Sequence, residues 1–235
     1  MWLAGLRQPP PPPNRPRKPD PPVDRWAFER QCLAQGARRI AGVDEAGRGP
    51  LAGPVLAAVA VLPPRWIHDG IPPRLASLDD SKKLTPAQRD RLFAFLTESS
   101  DLAWATAEGS VELIARINIL RATHQAMAEA VRKLDPLPDH VLVDGLPVQG
   151  LPTPHTPIVR GDALSFSISA ASIIAKVTRD RLMEACDRLY PEYGFAQHKG
   201  YGTARHLEAI ARHGPCPIHR RNFAPLKGGQ LELWR

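Results

Sequence analysis

The chain has 235 residues, of which 43% are hydrophobic and 23% are charged, and its formal net charge is +7. No apolar run approaches the roughly 18 residues of a membrane span, and the start lacks the apolar region and cleavage site of a secretory signal. Three scattered cysteines exclude a disulfide framework, and Cys216 with His219 falls short of the four ligands of a structural zinc. We therefore expect a cytoplasmic protein with reduced cysteines and no membrane partner.

The positive charge is concentrated at the two ends of the chain. Residues 1–40 carry eight Lys and Arg against three Asp and Glu, and residues 195–227 carry six against one. Such basic segments favour a nucleic-acid ligand, although a solvated basic face has the same composition. Residues 1–24 also contain nine prolines. We therefore expect a disordered Pro/Arg-rich tail over residues 1–24 and one domain over residues 25–235.

From residue 25 onward, hydrophobic periodicity and turn residues predict alternating helices and strands. In chain order these are a helix at 25–35, strands at 39–46 and 55–62, a helix at 85–97, a strand at 104–108 and a long helix at 110–134. Strands at 140–144 and 157–160 and helices at 167–189 and 203–213 follow. This order predicts an α/β fold, with a mixed five-stranded sheet flanked by helices and a C-terminal helical segment.

Acidic residues lie at the ends of three predicted strands. Asp44 and Glu45 close the first strand, Asp144 closes the fourth, and Asp162 follows the fifth. Functional groups gather at strand ends in such sheets, and four uncompensated carboxylates would repel one another. Two divalent cations would relieve that repulsion, and all-oxygen ligands favour Mg²⁺ or Mn²⁺. The pattern therefore predicts metal-assisted hydrolysis of a phosphodiester.

A Gly-Arg-Gly loop follows the first two acids. Strand alternation sends Asp44 and Glu45 to opposite faces, but a bend at Gly47 would bring Glu45 round to share a site with Asp44. The glycines on either side of Arg48 allow backbone amides to approach a ligand closely. A tight turn with a solvated acid pair is the alternative interpretation of the same residues.

The run GVDEAGRGPLAGPV, residues 42–55, closely resembles the opening motif of the ribonuclease HII family, the type 2 ribonucleases H. Further segments resemble that family in the right order, at residues 80–84, 143–145, 161–162, 169–180 and 198–203. The match spans residues 39–223. Asn222 stands where the family usually carries serine, and the proline-rich tail is not part of the motif set.

The resemblance implies an RNase H-like fold with a four-carboxylate metal site. Matched motif by motif, the catalytic and metal-binding residues are Asp44, Glu45, Asp144 and Asp162. The resemblance also implies that the backbone of Gly47, Arg48 and Gly49 senses the ribose 2′-hydroxyl, and that Tyr201 stacks on the sugar at the RNA–DNA junction. Lys82, Lys83 and Lys176 are candidate contacts to the nucleic acid.

The same resemblance implies an endonuclease that cuts the RNA strand of RNA–DNA hybrids and single ribonucleotides embedded in duplex DNA. Two Mg²⁺ or Mn²⁺ ions would serve the reaction, which leaves 5′-phosphate and 3′-hydroxyl ends, and we expect a monomer. Two alternatives stay open. One is a DNA-directed nuclease of the same fold, and the other is a non-catalytic nucleic-acid-binding protein, which should lack at least one of the four acids.

Other polar residues in the matching segments are interpreted without a catalytic role. Asp180 lies within a predicted helix and is expected to be solvated or ion-paired. The histidines of the basic segment are expected to be surface or backbone-bonding residues rather than metal ligands; they are His198, His206, His213 and His219.

Overall fold

A mixed five-stranded sheet forms the centre of the computed structural model, which describes residues 23–78 and 84–227. Its strands are β1 (Ile40–Ala46), β2 (Val55–Val61), β3 (Ala103–Gly109), β4 (His140–Asp144) and β5 (His155–Ile158). They lie in the order β3-β2-β1-β4-β5, and the first three are antiparallel neighbours. β4 is parallel to both β1 and β5. The predicted mixed sheet is confirmed.

Helices precede, connect and follow these strands. They are α1 (Ala27–Ala34), α2 (Arg65–Asp69), α3 (Pro86–Glu98), α4 (Val111–Ile117), α5 (Ile119–Arg132), α6 (Gly161–Leu164), α7 (Phe166–Leu189), α8 (Phe195–His198) and α9 (Ala204–His213). The predicted start of α3 is confirmed, because Thr85 and Gln88 form a reciprocal capping box ahead of it and Pro86 is its first residue.

Two helices cover the two faces of the sheet. Along β2, Leu56, Ala58 and Ala60 pack in a cluster with the apolar side of α7, whereas the alternate residues pack with α5. This two-sided burial explains why β2 is apolar throughout, since a strand covered on both faces needs no polar side. A separate cluster joins the end of α7 to α8, α9 and the segment that follows.

The helix predicted over residues 110–134 is wrong in one respect, because it is two helices. Asn118 separates α4 from α5 with a φ of 70° and a ψ of 166°, a conformation outside the helical region that interrupts the backbone hydrogen bonding of the helix. Its backbone N–H donates to the carbonyl of Ile114 at 3.0 Å, and its side chain accepts from the backbone N–H of Arg121 at 3.1 Å. One residue therefore ends the first helix and caps the second.

The strand predicted over residues 157–160 is also displaced, since β5 spans His155–Ile158. Its position at the sheet edge accommodates Pro157, which has no N–H to donate. The chain then turns at Arg160, which has a left-handed φ of 61°, and enters α6. Asp162 consequently lies in a short helix and not at a strand end.

Several predictions concern residues outside the described ranges. Most of the predicted tail over residues 1–24 falls there, and so do Lys82 and Lys83. Within the described ranges, no helix is both long and apolar enough to span a membrane.

Candidate active site

Asp44 owes its position to a close contact between β1 and α7. A Cβ atom on Gly42 would lie 2.0 Å from the backbone of Ser167, so the glycine allows the helix to rest directly on the strand. Asp44, two residues further on, faces the same side by strand alternation. There its carboxylate is hydrogen-bonded to the Ser172 side chain of α7.

The environment of Asp44 disfavours its negative charge. The residue is only 6% exposed, and burial raises the pKa of its carboxyl well above the usual range. The neighbouring charges of Glu45 and Asp144 raise that pKa further. Their effect on Asp44 shows that the structure brings these three sequence-predicted acids together.

Glu45 shares the pocket of Asp44 although alternation along the strand separates the two side chains. The backbone N–H of Glu45 donates to Asp44 Oδ1 at 2.6 Å, and Arg48 donates to Glu45 Oε1 at 3.2 Å. Burial raises the pKa of Glu45, while Arg48 acts in the opposite direction. The chain bends after these residues at Gly47, whose φ is 96°.

Asp144 and Asp162 approach the site from β4 and α6. Asp144 ends β4, beside β1, and its Oδ1 accepts a hydrogen bond of 2.7 Å from the backbone N–H of Gly161. Asp162 follows Gly161 in the sequence and is buried. Asp162 is not among the residues that line the pocket, whereas the other three acids line it.

The pocket is a cavity of about 330 Å³ at the end of β1 and β4. Besides the three acids, its lining residues are Ala46, Gly47, Arg48, Gly49, Ser172, Lys176, Arg179 and Tyr201. Lys176 donates to Asp180 at 2.7 Å, which confirms the expected ion pair of Asp180. Tyr201 is 49% exposed, and a Cβ atom on Gly49 would lie 3.6 Å from its ring.

A buried arginine that the sequence analysis did not identify holds the Gly-Arg-Gly loop. Arg220 is fully buried and donates to the carbonyls of Gly47, Arg48 and Gly53 at 2.6, 2.9 and 2.8 Å. A trans peptide carries its C=O and N–H on opposite sides. The backbone N–H groups of Arg48 and Gly49 therefore point away from Arg220.

A second buried arginine, Arg179 of α7, packs against the same loop at Gly47. Its guanidinium donates to the carbonyls of Ala52, Pro54 and Lys199 at 3.0 to 3.2 Å. A Cβ atom on Gly47 would lie 1.9 Å from Arg179 Nε, so only glycine fits there. Nothing in the sequence distinguishes these two arginines from exposed ones.

Three of the four histidines of the C-terminal segment bond to the backbone and the fourth, His213, is exposed, as expected. His198 bonds to the carbonyl of Tyr193 at 2.8 Å, and His206 to the carbonyl of Tyr201 at 2.9 Å. His206 and His219 are buried and bond to each other. Both also bond to the backbone, so the expectation of surface or backbone-bonding residues holds for this pair, and aromatic packing and mutual bonding replace their contacts with water.

The acids of the pocket fit divalent cations by the chemistry of their donor atoms. Among the described residues, no group of three or more His, Cys, Asp or Glu side chains is already arranged to hold a metal ion. Carboxylate oxygens of Asp44, Glu45 and Asp144 accept hydrogen bonds from neighbouring N–H groups instead. The negative charges of Glu45 and Asp144 nevertheless raise the pKa of Asp44, and carboxylate oxygens are the donor atoms that Mg²⁺ and Mn²⁺ prefer.

Comparison with known proteins agrees with this arrangement. The model of the family "Ribonuclease HII" matches residues 41–226. The ribonuclease HII of Geobacter sulfurreducens is 54% identical over 206 residues, which cover 88% of this chain and 90% of that protein.

Solved structures extend the likeness to the fold. The crystal structure of ribonuclease H2 from Pyrococcus horikoshii superimposes with a TM-score of 0.65 at 32% identity, covering 80% of this chain and 95% of that one. Bst-RNase HIII, solved in complex with Mn²⁺, has a TM-score of 0.64 at 19% identity, covering 81% of this chain and 68% of that one. At that identity the likeness concerns the fold alone.

Proposed function

Because this chain belongs to the ribonuclease HII family and is therefore an endoribonuclease of RNA–DNA hybrids, we propose that carboxylates at the ends of β1 and β4, together with one in α6, carry its hydrolytic chemistry. The proposed catalytic set is Asp44, Glu45, Asp144 and Asp162. The observation that carries this proposal is the raised pKa of Asp44, caused by burial and by the charges of Glu45 and Asp144. Such mutual repulsion costs stability unless cations offset it.

We propose that this set holds two divalent ions, Mg²⁺ or Mn²⁺. When bound, such ions stabilise the negative charge that develops on phosphate oxygens during hydrolysis. The carboxylates hold the ions in place, and the buried position of Asp44 limits the access of bulk water. Lys176, at the pocket wall, supplies a positive charge for a phosphate of the substrate.

Selectivity for ribose is proposed to come from the loop at Gly47–Gly49 together with Tyr201. The amides of Arg48 and Gly49, turned away from Arg220, are available to the 2′-hydroxyl. The ring of Tyr201 lies beside Gly49 and is half exposed, as a stacking surface must be. The two features together favour a site that reads one ribose and the sugar next to it.

The proposed substrates are RNA–DNA hybrids and single ribonucleotides embedded in duplex DNA, cut to leave 5′-phosphate and 3′-hydroxyl ends. Lys82 and Lys83 are proposed to contact the nucleic acid. Membership of a ribonuclease family argues against both alternatives, the DNA-directed nuclease and the non-catalytic binding protein.

One set of substrates tests the proposal. Three duplexes of identical sequence are incubated with the protein: all DNA, DNA with one ribonucleotide, and an RNA–DNA hybrid. We expect cutting of the second and third only, with Mg²⁺ or Mn²⁺ present, and loss of cutting in EDTA. Extension of the product by a DNA polymerase reports the 3′-hydroxyl end. Cutting of the all-DNA duplex, or cutting in EDTA, would contradict the proposal.

A further inference from the structure

Behind Tyr201 lies a buried row of side chains that the proposed hydrolysis does not use. His206 and His219 are 0% and 2% exposed, and their Nε2 atoms lie 3.0 Å apart. Nδ1 of His206 lies 2.9 Å from the carbonyl oxygen of Tyr201. At the other end, Nδ1 of His219 accepts from the backbone N–H of Cys216 at 2.9 Å, and the Cys216 sulfur lies 3.0 Å away.

These contacts fix which ring nitrogen carries the proton in each histidine. The carbonyl of Tyr201 can only accept, so Nδ1 of His206 is the protonated nitrogen and its Nε2 is an acceptor. His219 must then donate from Nε2, which leaves its Nδ1 to accept from Cys216. One proton on each ring satisfies every nitrogen of the row.

The surroundings favour neutral rings. Burial is the main reason that the pKa of both His206 and His219 is lowered to about 4. His198 stacks on His206 with ring centroids 4.3 Å apart, and Arg221 also disfavours a charge on His219. Burial raises the pKa of the Cys216 thiol to about 11, so no thiolate is present to stabilise a cationic ring.

The row also links Tyr201 to the Gly-Arg-Gly loop. His219 forms an isolated β-bridge with Ala52, and the next residue, Arg220, holds the carbonyls of Gly47 and Arg48. The row therefore joins Tyr201 to the segment that holds the neighbouring loop at Gly47–Gly49.

We propose that His206 and His219 are positioning residues, a neutral hydrogen-bonded pair that fixes the main chain of Tyr201 relative to the loop at Gly47–Gly49. This inference rests on the proposed role of Tyr201 in substrate selection. The pair contributes no proton to the reaction, and its effect reaches the substrate through the tyrosine.

The tautomers can be observed directly in the intact protein. Long-range ¹H–¹⁵N NMR spectra of uniformly labelled protein at neutral pH separate the protonated from the unprotonated nitrogen of each imidazole. We expect the Nδ1–H form of His206 and the Nε2–H form of His219. The opposite tautomer at either ring, or a cationic ring at neutral pH, would overturn the proposal.

Two variants of similar size separate positioning from folding. In His206→Asn the amide nitrogen occupies the place of Nδ1 and keeps the bond to Tyr201, whereas His206→Gln places its nitrogen near Nε2 and loses that bond. We expect His206→Gln to lower kcat/KM for one ribonucleotide in DNA about tenfold relative to a long hybrid, the size expected for one lost hydrogen bond. His206→Asn keeps the bond to Tyr201 and loses the one to His219, so its ratio should fall between those of the wild type and His206→Gln.

Failure of the positioning role can be distinguished from failure of the role proposed for Tyr201. In a Tyr201→Ala background, His206→Gln should change the ratio no further. Equal losses on both substrates from His206→Gln, with a selective loss from Tyr201→Ala, would overturn the positioning role alone. Equal losses from Tyr201→Ala would instead reject the proposed role of the tyrosine, and the NMR spectra would still decide whether the neutral pair exists.

Discussion

Asp44 is buried beside two other acids, Glu45 and Asp144, whose negative charges raise its pKa. We expect Asp44→Asn to lower kcat at least about a hundredfold, because charge stabilisation by bound metal contributes several kcal/mol and about 1.4 kcal/mol is tenfold. Binding to an RNA–DNA duplex should persist, because the change removes a negative charge. Asp101→Asn, at a half-exposed acid paired with Arg65, is the control. Turnover close to wild type in saturating Mg²⁺ would reject the assignment.

Substitution of Tyr201 tests the preference for a single ribonucleotide in DNA over a long hybrid. We expect Tyr201→Ala to reduce cleavage at a single ribonucleotide in DNA about tenfold more than cleavage within a long hybrid, because the ring is lost from the junction sugar and a loss of about 1.4 kcal/mol is tenfold in rate. Only the junction presents a deoxyribose for stacking. Tyr201→Phe keeps the ring and should keep the ratio of the two rates, so a loss in both variants would point to the hydroxyl.

Among single residues, the sequence predicts the acids of the pocket better than the arginines that support its loop. The proximity of Asp44, Glu45 and Asp144 could be predicted because acids at strand ends meet at one edge of a sheet. Arg179 and Arg220 could not, since arginine is mostly an exposed residue. Only the three-dimensional structure shows that the carbonyls of a glycine-rich loop turn inward and need donors.

The contact between β1 and α7 sets the position of the whole pocket. In Gly42→Ala the new Cβ would meet backbone atoms of Ser167 at 2.0 Å, and backbone cannot rotate away as a side chain can. We expect a loss of about 3 kcal/mol or more in the free energy of unfolding, the upper range for overpacking. Urea unfolding of the wild type and the variant measures this loss in unfolding free energy. Gly36→Ala, where the new atom meets nothing within 4 Å, should lose much less despite its positive φ.

Element boundaries could be predicted where a side chain signals them and not where the backbone alone decides. Thr85 with Pro86 marks the start of α3 in the sequence as clearly as in the structure. Asn118 lies in an apolar pattern that continues on both sides of it, so periodicity predicts one helix. The end of β5 depends on the left-handed turn at Arg160, and arginine carries no preference for that conformation.

The pH dependence of stability follows from groups distributed over the whole molecule. His206 and His219 have a pKa of about 4 in the folded state, against an ordinary 6.5. Between pH 6.5 and 4 the unfolded chain binds protons that the folded chain excludes, so the free energy of unfolding falls as pH falls. Each histidine contributes at most about 1.4 kcal/mol per pH unit. Asp44 and Glu45 act oppositely, because their raised pKa values make the folded chain bind protons first.

Variants separate these opposing contributions. Between pH 6.5 and 4, we expect His206→Asn to take up about one proton fewer on unfolding than the wild type. Its unfolding free energy should therefore decline less steeply as pH falls, which urea unfolding at several pH values measures. Asp44→Asn should make the decline steeper, because it removes an acid that offsets it. Parallel pH curves for wild type and His206→Asn would contradict the neutral state of the buried ring.

The proposed site is divided between two packed units of unequal size. Asp44 and Asp144 lie on neighbouring strands in the middle of the sheet, whereas Tyr201 adjoins the smaller cluster at the end of α7. Amides of central strands exchange with solvent only on global opening, but a peripheral unit can open by itself. We expect slow hydrogen exchange at Val43 and Val143 and faster exchange at Tyr201. The role proposed for Tyr201, selection of the RNA–DNA junction, then depends on the part that opens first, and warming should erode the preference for a single ribonucleotide over a long hybrid before the protein unfolds.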